Sequence, residues 1–244
     1  MKSSRNIRSG GFTLLETVIA IGVLAVLLTG FMVVFAPAAE GIRKSINVQQ
    51  ADRLASTLEQ ELVTLREGEE STDIKTGFDK AYMRIKESNN VGKALLVYQY
   101  RGKVSDLRSD GTPEPEPQID GKLPGKDYVV VSMMRTKDDP LFNSTSNGDI
   151  TAIEGGIYLV KCTQLVFNGG ELTLGKPGEI KDPKGIDNSA TSPDTYPEAV
   201  IAFAADFHIM PSKAASYSNS GGGFDKKFTS VRNPVFTRNL AVRR

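Results

Sequence analysis

The chain has 244 residues, and its 30 basic and 29 acidic side chains nearly cancel. This balance argues against nucleic-acid binding through bulk charge, and the absence of Trp argues against base-stacking platforms. We therefore expect no nucleic acid among its partners. The one cysteine, Cys162, cannot form an intramolecular disulfide, so the core must hold without one.

Most of the continuous apolar sequence lies near the N-terminus, where Thr17–Ala36 provides twenty residues without a charged side chain. A helix of that length spans about 30 Å, the thickness of the hydrocarbon core of a bilayer. Lys2, Arg5 and Arg8 precede it, with no acidic residue among them. By the positive-inside bias, the N-terminus stays cytoplasmic and the rest of the chain lies across the membrane.

Two common kinds of N-terminal signal fit this segment in part. A secretory signal peptide would use Ala36, Ala38 and Ala39 near its cleavage site, but its apolar run is usually about 7–15 residues long. An ordinary signal anchor would use Glu16 only as a cap, because Thr13 and Glu16 match the S/T-x-x-E capping box. Neither interpretation explains the residues just before the helix.

A third interpretation takes the leader and the helix together. The basic leader ends in Gly10-Gly11, and the run Phe12-Thr-Leu-Leu-Glu16 opens the apolar helix. This arrangement resembles the class III signal of type IV pilins and type II secretion pseudopilins. The resemblance implies that a prepilin peptidase cleaves between Gly11 and Phe12 on the cytoplasmic side. It also implies N-methylation of the new Phe12 amine and retention of the apolar helix in the mature chain, Phe12–Arg244.

Glu16 needs a partner charge if this segment lies in a membrane. A carboxylate costs about 2.5–3.5 kcal/mol at the centre of a membrane helix and less near the interface, and such residues are usually paired. In the family that the chain resembles, the glutamate at this offset neutralises the amine of the preceding subunit in the filament. Glu16 matches that position, so we expect it to pair with the Phe12 amine of another subunit and to select the axial register.

Beyond the apolar run, from Glu40 to Arg66, the sequence becomes amphipathic. Its apolar residues recur at spacings of three to five, which predicts a helix with a stripe that packs on a sheet. These residues are Ile46, Ala51, Leu54, Leu58, Leu62 and Leu65. The predicted helix runs from Thr13 to Arg66. Pro37 either kinks this helix or ends its membrane-spanning part, with a possible break at Pro37–Gly41.

The remainder of the chain predicts one short helix and several strands. Residues 67–77 form a polar loop, and Phe78, Tyr82 and Ile85 indicate the short helix. Runs rich in Val, Ile, Tyr and Phe, which half-buried strands prefer, follow it. These runs are Ala94–Tyr100, Tyr128–Arg135, Gly156–Asn168, Glu171–Leu174, Ala199–Ile209 and Val235–Val242. The Asn168-Gly-Gly170 sequence predicts a tight hairpin.

Long polar connections separate these strands and are predicted to be loops. They are Asp106–Asp127, Gly175–Pro197 and Pro211–Pro234. The expected fold is α+β and type IV pilin-like, with a long N-terminal helix packed on an antiparallel sheet with long loops. The expected parts are a cleaved leader at 1–11, the helix at 12–66, a connecting loop with a short helix at 67–93 and a β-rich domain at 94–244. We expect this last domain to lie in the periplasm or in a surface filament.

Candidate catalytic and binding residues are few. His208, the only histidine, lies two residues after Asp206, but no strained nucleophile turn accompanies it, so we expect a packed or surface strand residue. Cys162 is expected to be a small, partly buried apolar residue. The segment from Gly170 to Lys176 imitates a phosphate loop, but Pro177 stands where the motif needs Ser or Thr.

The acidic loop that contains Asp182, Asp187 and Asp194 could supply oxygen ligands to calcium, as in some pseudopilins, but its spacing fits no defined calcium loop. We therefore expect this loop to be solvated and to bind no metal. For the chain as a whole, we expect no cofactor and no enzymatic activity.

The resemblance and the pattern together predict a structural subunit of a type IV pilus or a type II secretion pseudopilus. The large, loop-rich body favours a minor subunit. Its partners would be the prepilin peptidase, other pilin or pseudopilin subunits and the bacterial inner membrane, which it would cross once. Two alternatives are a membrane-anchored binding or adhesion module that shares only the signal, and a tethered hydrolase that uses His208.

Overall fold

The computed structural model describes residues 13–184, 192–218, 223–231 and 233–244. The chain divides into two compact units, with the boundary between Ile46 and Asn47. The processing and leader residues predicted above lie outside the described residues. These are Lys2, Arg5, Arg8, Gly11 and Phe12.

Helix α1 spans Leu14–Val63 and contains 50 residues. It runs without interruption through Pro37, so the possible break at Pro37–Gly41 is not present in this helix. Proline removes one backbone donor from a helix interior, but Ala36, Ala38 and Ala39 on either side are the best helix formers and favour continuation.

In the second unit, the part of α1 from Asn47 to Val63 buries one stripe of side chains. The stripe consists of Ala51, Leu54, Ala55, Leu58 and Leu62. These positions repeat with the helical period, so they line one face that packs on the sheet. Two residues predicted for the stripe differ, because Ile46 is exposed and Leu65 lies beyond the helix end.

Helix α2 spans Gly77–Glu87 and begins with a capping box. The hydroxyl of Thr76 accepts from the Asp79 backbone N–H at 3.2 Å, and the Asp79 carboxylate accepts from the Thr76 N–H at 2.9 Å. These two bonds satisfy donors that every helix start leaves free. The short helix expected around Phe78, Tyr82 and Ile85 is therefore confirmed.

Seven strands form one antiparallel sheet in the described part of the chain. They are β1 (Leu95–Leu107), β2 (Pro113–Pro115), β3 (Tyr128–Thr136), β4 (Ile153–Asn168), β5 (Glu171–Leu174), β6 (Val200–Ile209) and β7 (Phe236–Arg243). Strand β1 pairs with β3 along one edge and with β4 along the other, since Leu95 faces both Thr136 and Val160. The order is β3-β1-β4-β6-β7, with β2 beside the far part of β1 and β5 beside the far part of β4.

The sheet packs on both faces. One face, which includes Leu95 and Val97, contacts the buried stripe of α1 and the apolar face of α2. The other face, which includes Leu96 and Tyr98, is covered by short helices that follow the strands. These are α3 (Pro140–Asn143), a 3₁₀ turn (Asp149–Ala152), α4 (Ala215–Ser218) and α5 (Gly223–Ser230). A long N-terminal helix with an antiparallel sheet confirms the predicted α+β layout.

The hairpin predicted at Asn168-Gly-Gly170 is confirmed, because β4 and β5 pair there and Gly169 and Gly170 have φ values of 62° and 90°. The structure differs from the prediction in two of the long connections. Strand β1 extends to Leu107 and pairs with β2 inside the first of them. Helices α4 and α5 lie in Pro211–Pro234, where two apolar positions per helix are too few to show a period.

Candidate functional site: the N-terminal apolar helix

The candidate site begins at the first turn of α1, where Thr13 and Glu16 form a capping box. The Glu16 carboxylate accepts from the Thr13 backbone N–H at 3.5 Å, and the Thr13 hydroxyl accepts from the Glu16 N–H at 3.3 Å. The carboxylate thus lies at the positive end of the helix dipole. Among the described residues, no Lys or Arg side chain forms an ion pair with Glu16.

The surface of this part of α1 is apolar on every side. All its large apolar side chains are exposed, and Leu14 is 83% exposed. Its most apolar 18-residue window has a mean hydropathy of 2.8, and the helix is long and apolar enough to cross a membrane. An exposed apolar patch beyond a few hundred Å² marks a surface that lipid or protein covers.

Polar groups inside the apolar stretch are satisfied by the helix itself. The hydroxyl of Thr17 donates to the Leu14 carbonyl at 2.8 Å, and that of Thr29 donates to the Ala25 carbonyl at 2.8 Å. A bilayer core has no water to bond such groups, so internal partners suit a helix that lies in hydrocarbon.

The second unit, Asn47–Arg244, is called the sheet unit below, and the predicted sites in it have packing partners. His208 is 5% exposed, and its Nδ1 lies 3.3 Å from the Asn233 carbonyl oxygen. Burial lowers the pKa of His208, which favours the neutral imidazole. The Asp206 carboxylate accepts from the Thr237 hydroxyl at 2.6 Å, which joins it to strand β7 and not to the imidazole of His208. His208 is thus a packed strand residue, one of the two positions expected for it.

Cys162 is fully buried, whereas partial burial was expected. Its backbone N–H donates to the Ser88 hydroxyl at 3.0 Å, and its carbonyl accepts from the Asn89 amide at 3.0 Å. Burial raises the pKa of the thiol to about 12. A thiol in this environment is inert, because the thiolate is the reactive form.

The phosphate-loop imitation and the acidic loop are the two remaining motifs. Glu171–Leu174 forms strand β5, so the phosphate-loop imitation is part of a hairpin. The Asp182 carboxylate accepts from the Lys184 backbone N–H at 2.8 Å, while Asp187 lies outside the described residues. Within the described ranges, no group of three or more His, Cys, Asp or Glu residues could hold a metal ion.

One buried cluster was not predicted from the sequence. Asp149 is 0% exposed and accepts from Arg108 at 2.6 Å, Arg135 at 2.9 Å and the Tyr98 hydroxyl at 2.6 Å. Arg135 also donates to Asp110 at 2.7 Å. The contact between Arg108 and Asp149 joins residues 41 positions apart, so no local pattern indicates it. The one feature of the sequence that could have indicated the cluster is Arg135, a charged residue at the end of an apolar strand run.

The buried cluster holds β1, β3 and the 3₁₀ turn together, and each of its charges has a partner within the chain. The N-terminal helix differs, because its large apolar side chains are exposed and, in the described part of the chain, Glu16 bonds only within its own capping box. It is therefore the candidate functional site. Comparison of the chain with protein-family models, with curated proteins and with solved structures finds no match.

Proposed function

We propose that this chain is a minor structural subunit of a bacterial type IV pilus or type II secretion pseudopilus. The observation that carries the proposal is the division of α1 into two parts. From Leu14 to Ile46 the helix is exposed, and its large apolar side chains have no cover. From Asn47 to Val63 it packs on a sheet. A subunit that assembles through one end of a helix and carries a folded body at the other needs this division.

Processing would create a positive charge that can pair with the Glu16 carboxylate. Cleavage between Gly11 and Phe12 by a prepilin peptidase leaves a methylated amine four residues before Glu16. In a bundle of apolar helices, the amine of one subunit would pair with the Glu16 carboxylate of the next. Because an unpaired charge is costly in a medium of low dielectric constant, this contact sets the axial register as well as the affinity.

Packing of helices would bury the rest of the exposed surface. In a lipid bilayer, van der Waals contact and satisfied polar groups drive helix association. Before assembly, the chain would lie in the inner membrane with its N-terminus cytoplasmic. Its helix would leave the bilayer when it enters the filament. Lys2, Arg5 and Arg8 in the leader support this orientation.

N-terminal mass spectrometry of the native protein tests the processing step. We expect a mature chain that begins at a methylated Phe12. A chain that begins near Ala39 would indicate a secretory signal peptide. An intact Met1 would indicate an ordinary signal anchor. Either result overturns the proposal.

A matched pair of variants tests the assembly step. Glu16→Ala should be cleaved normally but should be lost from purified filaments, because its amine partner has no counter-charge. Glu59→Ala removes an exposed carboxylate from the same helix in the sheet unit and should be incorporated normally. If Glu16→Ala and Glu59→Ala enter filaments equally, the pairing is refuted. A wild-type chain that stays in the membrane and never enters filaments would favour the binding or adhesion module.

A further inference from the structure

A short charged segment of α1 follows the apolar stretch. We define the interface segment as Glu40–Ile46, the last seven residues of α1 before the unit boundary. Every residue in it is exposed. It contains the first charged side chains after Glu16, which are Glu40, Arg43 and Lys44.

The depth of the interface segment follows from helix geometry. Arg43 lies seven residues beyond Ala36, or about 10 Å along the helix axis. The polar headgroup layer adds roughly 5–8 Å to each side of the hydrocarbon core. Arginine and lysine side chains are long enough to reach back to a polar layer while their stems cover apolar surface. The cations of Arg43 and Lys44 therefore reach the level of the lipid phosphates.

The charges of the interface segment are not neutralised along the helix. Glu40 stands three residues before Arg43 and four before Lys44, a spacing that allows ion pairs on a helix. In the described part of the chain, neither cation forms one. Ile42 and Ile46, 61% and 55% exposed, lie four residues apart on one side of the helix. The segment thus offers both cations and an apolar strip.

We propose that Arg43 and Lys44 bind the phosphate groups of phospholipids at the membrane surface farther from Thr13. The interface segment continues the apolar helix directly, so a membrane that covers the helix reaches the segment too. A second copy at the same depth would present the same two cations, and like charges repel. The inference rests on the membrane anchoring within the proposed function, not on filament assembly.

Native mass spectrometry of the full chain in detergent micelles tests this inference. The probes are phosphatidylglycerol and a diacylglycerol with the same acyl chains but no phosphate. We expect Arg43→Gln/Lys44→Gln to weaken retention of phosphatidylglycerol by about tenfold, since each cation near an anionic surface contributes measurably. Retention of the diacylglycerol should not change. Glu40→Gln should strengthen retention of phosphatidylglycerol, because it removes a repulsive carboxylate.

The matched control is Arg53→Gln, which removes an exposed cation from the same helix in the sheet unit. It should retain phosphatidylglycerol as the wild type does. Equal retention by the double variant and the wild type would overturn the inference. So would equal loss in Arg53→Gln, displacement of the lipid by an equal concentration of inorganic phosphate, or reduced self-association of the double variant with lipid retention intact.

The N-terminal mass spectrometry and the filament experiments test the proposed function independently of the lipid site. A methylated Phe12 and normal incorporation of the double variant, together with unchanged lipid retention, would overturn only the lipid site. Lipid loss in the double variant of a chain that never enters filaments would overturn only the filament role.

Discussion

The two units of the chain place their apolar and charged side chains in opposite ways. The first unit exposes apolar residues such as Leu27 on every side of a helix. The second buries charged residues, among them Asp149 and Lys80, inside a packed fold. Apolar surface is costly in water and charge is costly in an apolar medium, so each unit fits a different surrounding. The contrast indicates that one helix, α1, serves two environments.

The largest effect is expected from the buried cluster, where the sheet unit depends on charge. Asp149→Ala leaves Arg108, Arg135 and the Tyr98 hydroxyl without their shared acceptor. Removing one partner of a buried ion pair costs about 3–5 kcal/mol, so we expect a loss of that size in the free energy of unfolding. Urea unfolding followed by tyrosine fluorescence measures it, since the chain has no Trp. Asp120→Ala, at an exposed carboxylate, should have little effect and serves as the control.

A pair of leucine variants tests the contrast within α1 itself. Leu58 is 0% exposed in the sheet-packed part, whereas Leu27 is exposed in the apolar part. Leu58→Ala should lower the free energy of unfolding of the sheet unit by about 2–5 kcal/mol, because it leaves a cavity. Leu27→Ala should leave that free energy unchanged in the same urea titration. Equal losses would show that both parts are buried to the same extent in the native protein.

The secondary structure was largely predictable because its signals are local. Strand β5 has the predicted bounds, Glu171–Leu174, since a glycine pair sets the hairpin and alternating apolar residues set the strand. Helix α1 was predictable from the apolar run and the stripe that follows it. Its passage through Pro37 was not, because a proline at the join of two helical patterns is compatible with a break as well as with continuation.

The candidate site was predictable only in part. Thr13 and Glu16 form the capping box that their spacing indicates. A partner for Glu16 in another subunit is not encoded by any local pattern, and it came from the resemblance of the leader to a known signal. The contacts of Asp149 were not predictable, because Tyr98 and Asp149 are 51 residues apart and meet only when the sheet has formed.

A pH dependence of stability is expected in the sheet unit, where the side chain of His208 is buried. Burial lowers the pKa of His208, so below about pH 6.5 the unfolded state takes up a proton that the folded state does not. The free energy of unfolding should therefore fall as the pH drops below this value, by at most about 1.4 kcal/mol per pH unit. His208→Gln should reduce this slope between pH 7 and 5.5 in urea titrations. An unchanged slope would assign the dependence to other groups.

The smallest effect compares the two capping boxes, one in each unit. Thr76→Ala removes the hydroxyl that caps α2, which packs on the sheet, and should lower the free energy of unfolding by about 1 kcal/mol. Thr13→Ala removes the equivalent hydroxyl at the start of α1 and should leave the unfolding of the sheet unit unchanged. The urea midpoint measures both variants. Equal losses would mean that α1 unfolds as one cooperative element from Thr13 to Val63, and the contrast between its two parts would then concern exposure and not stability.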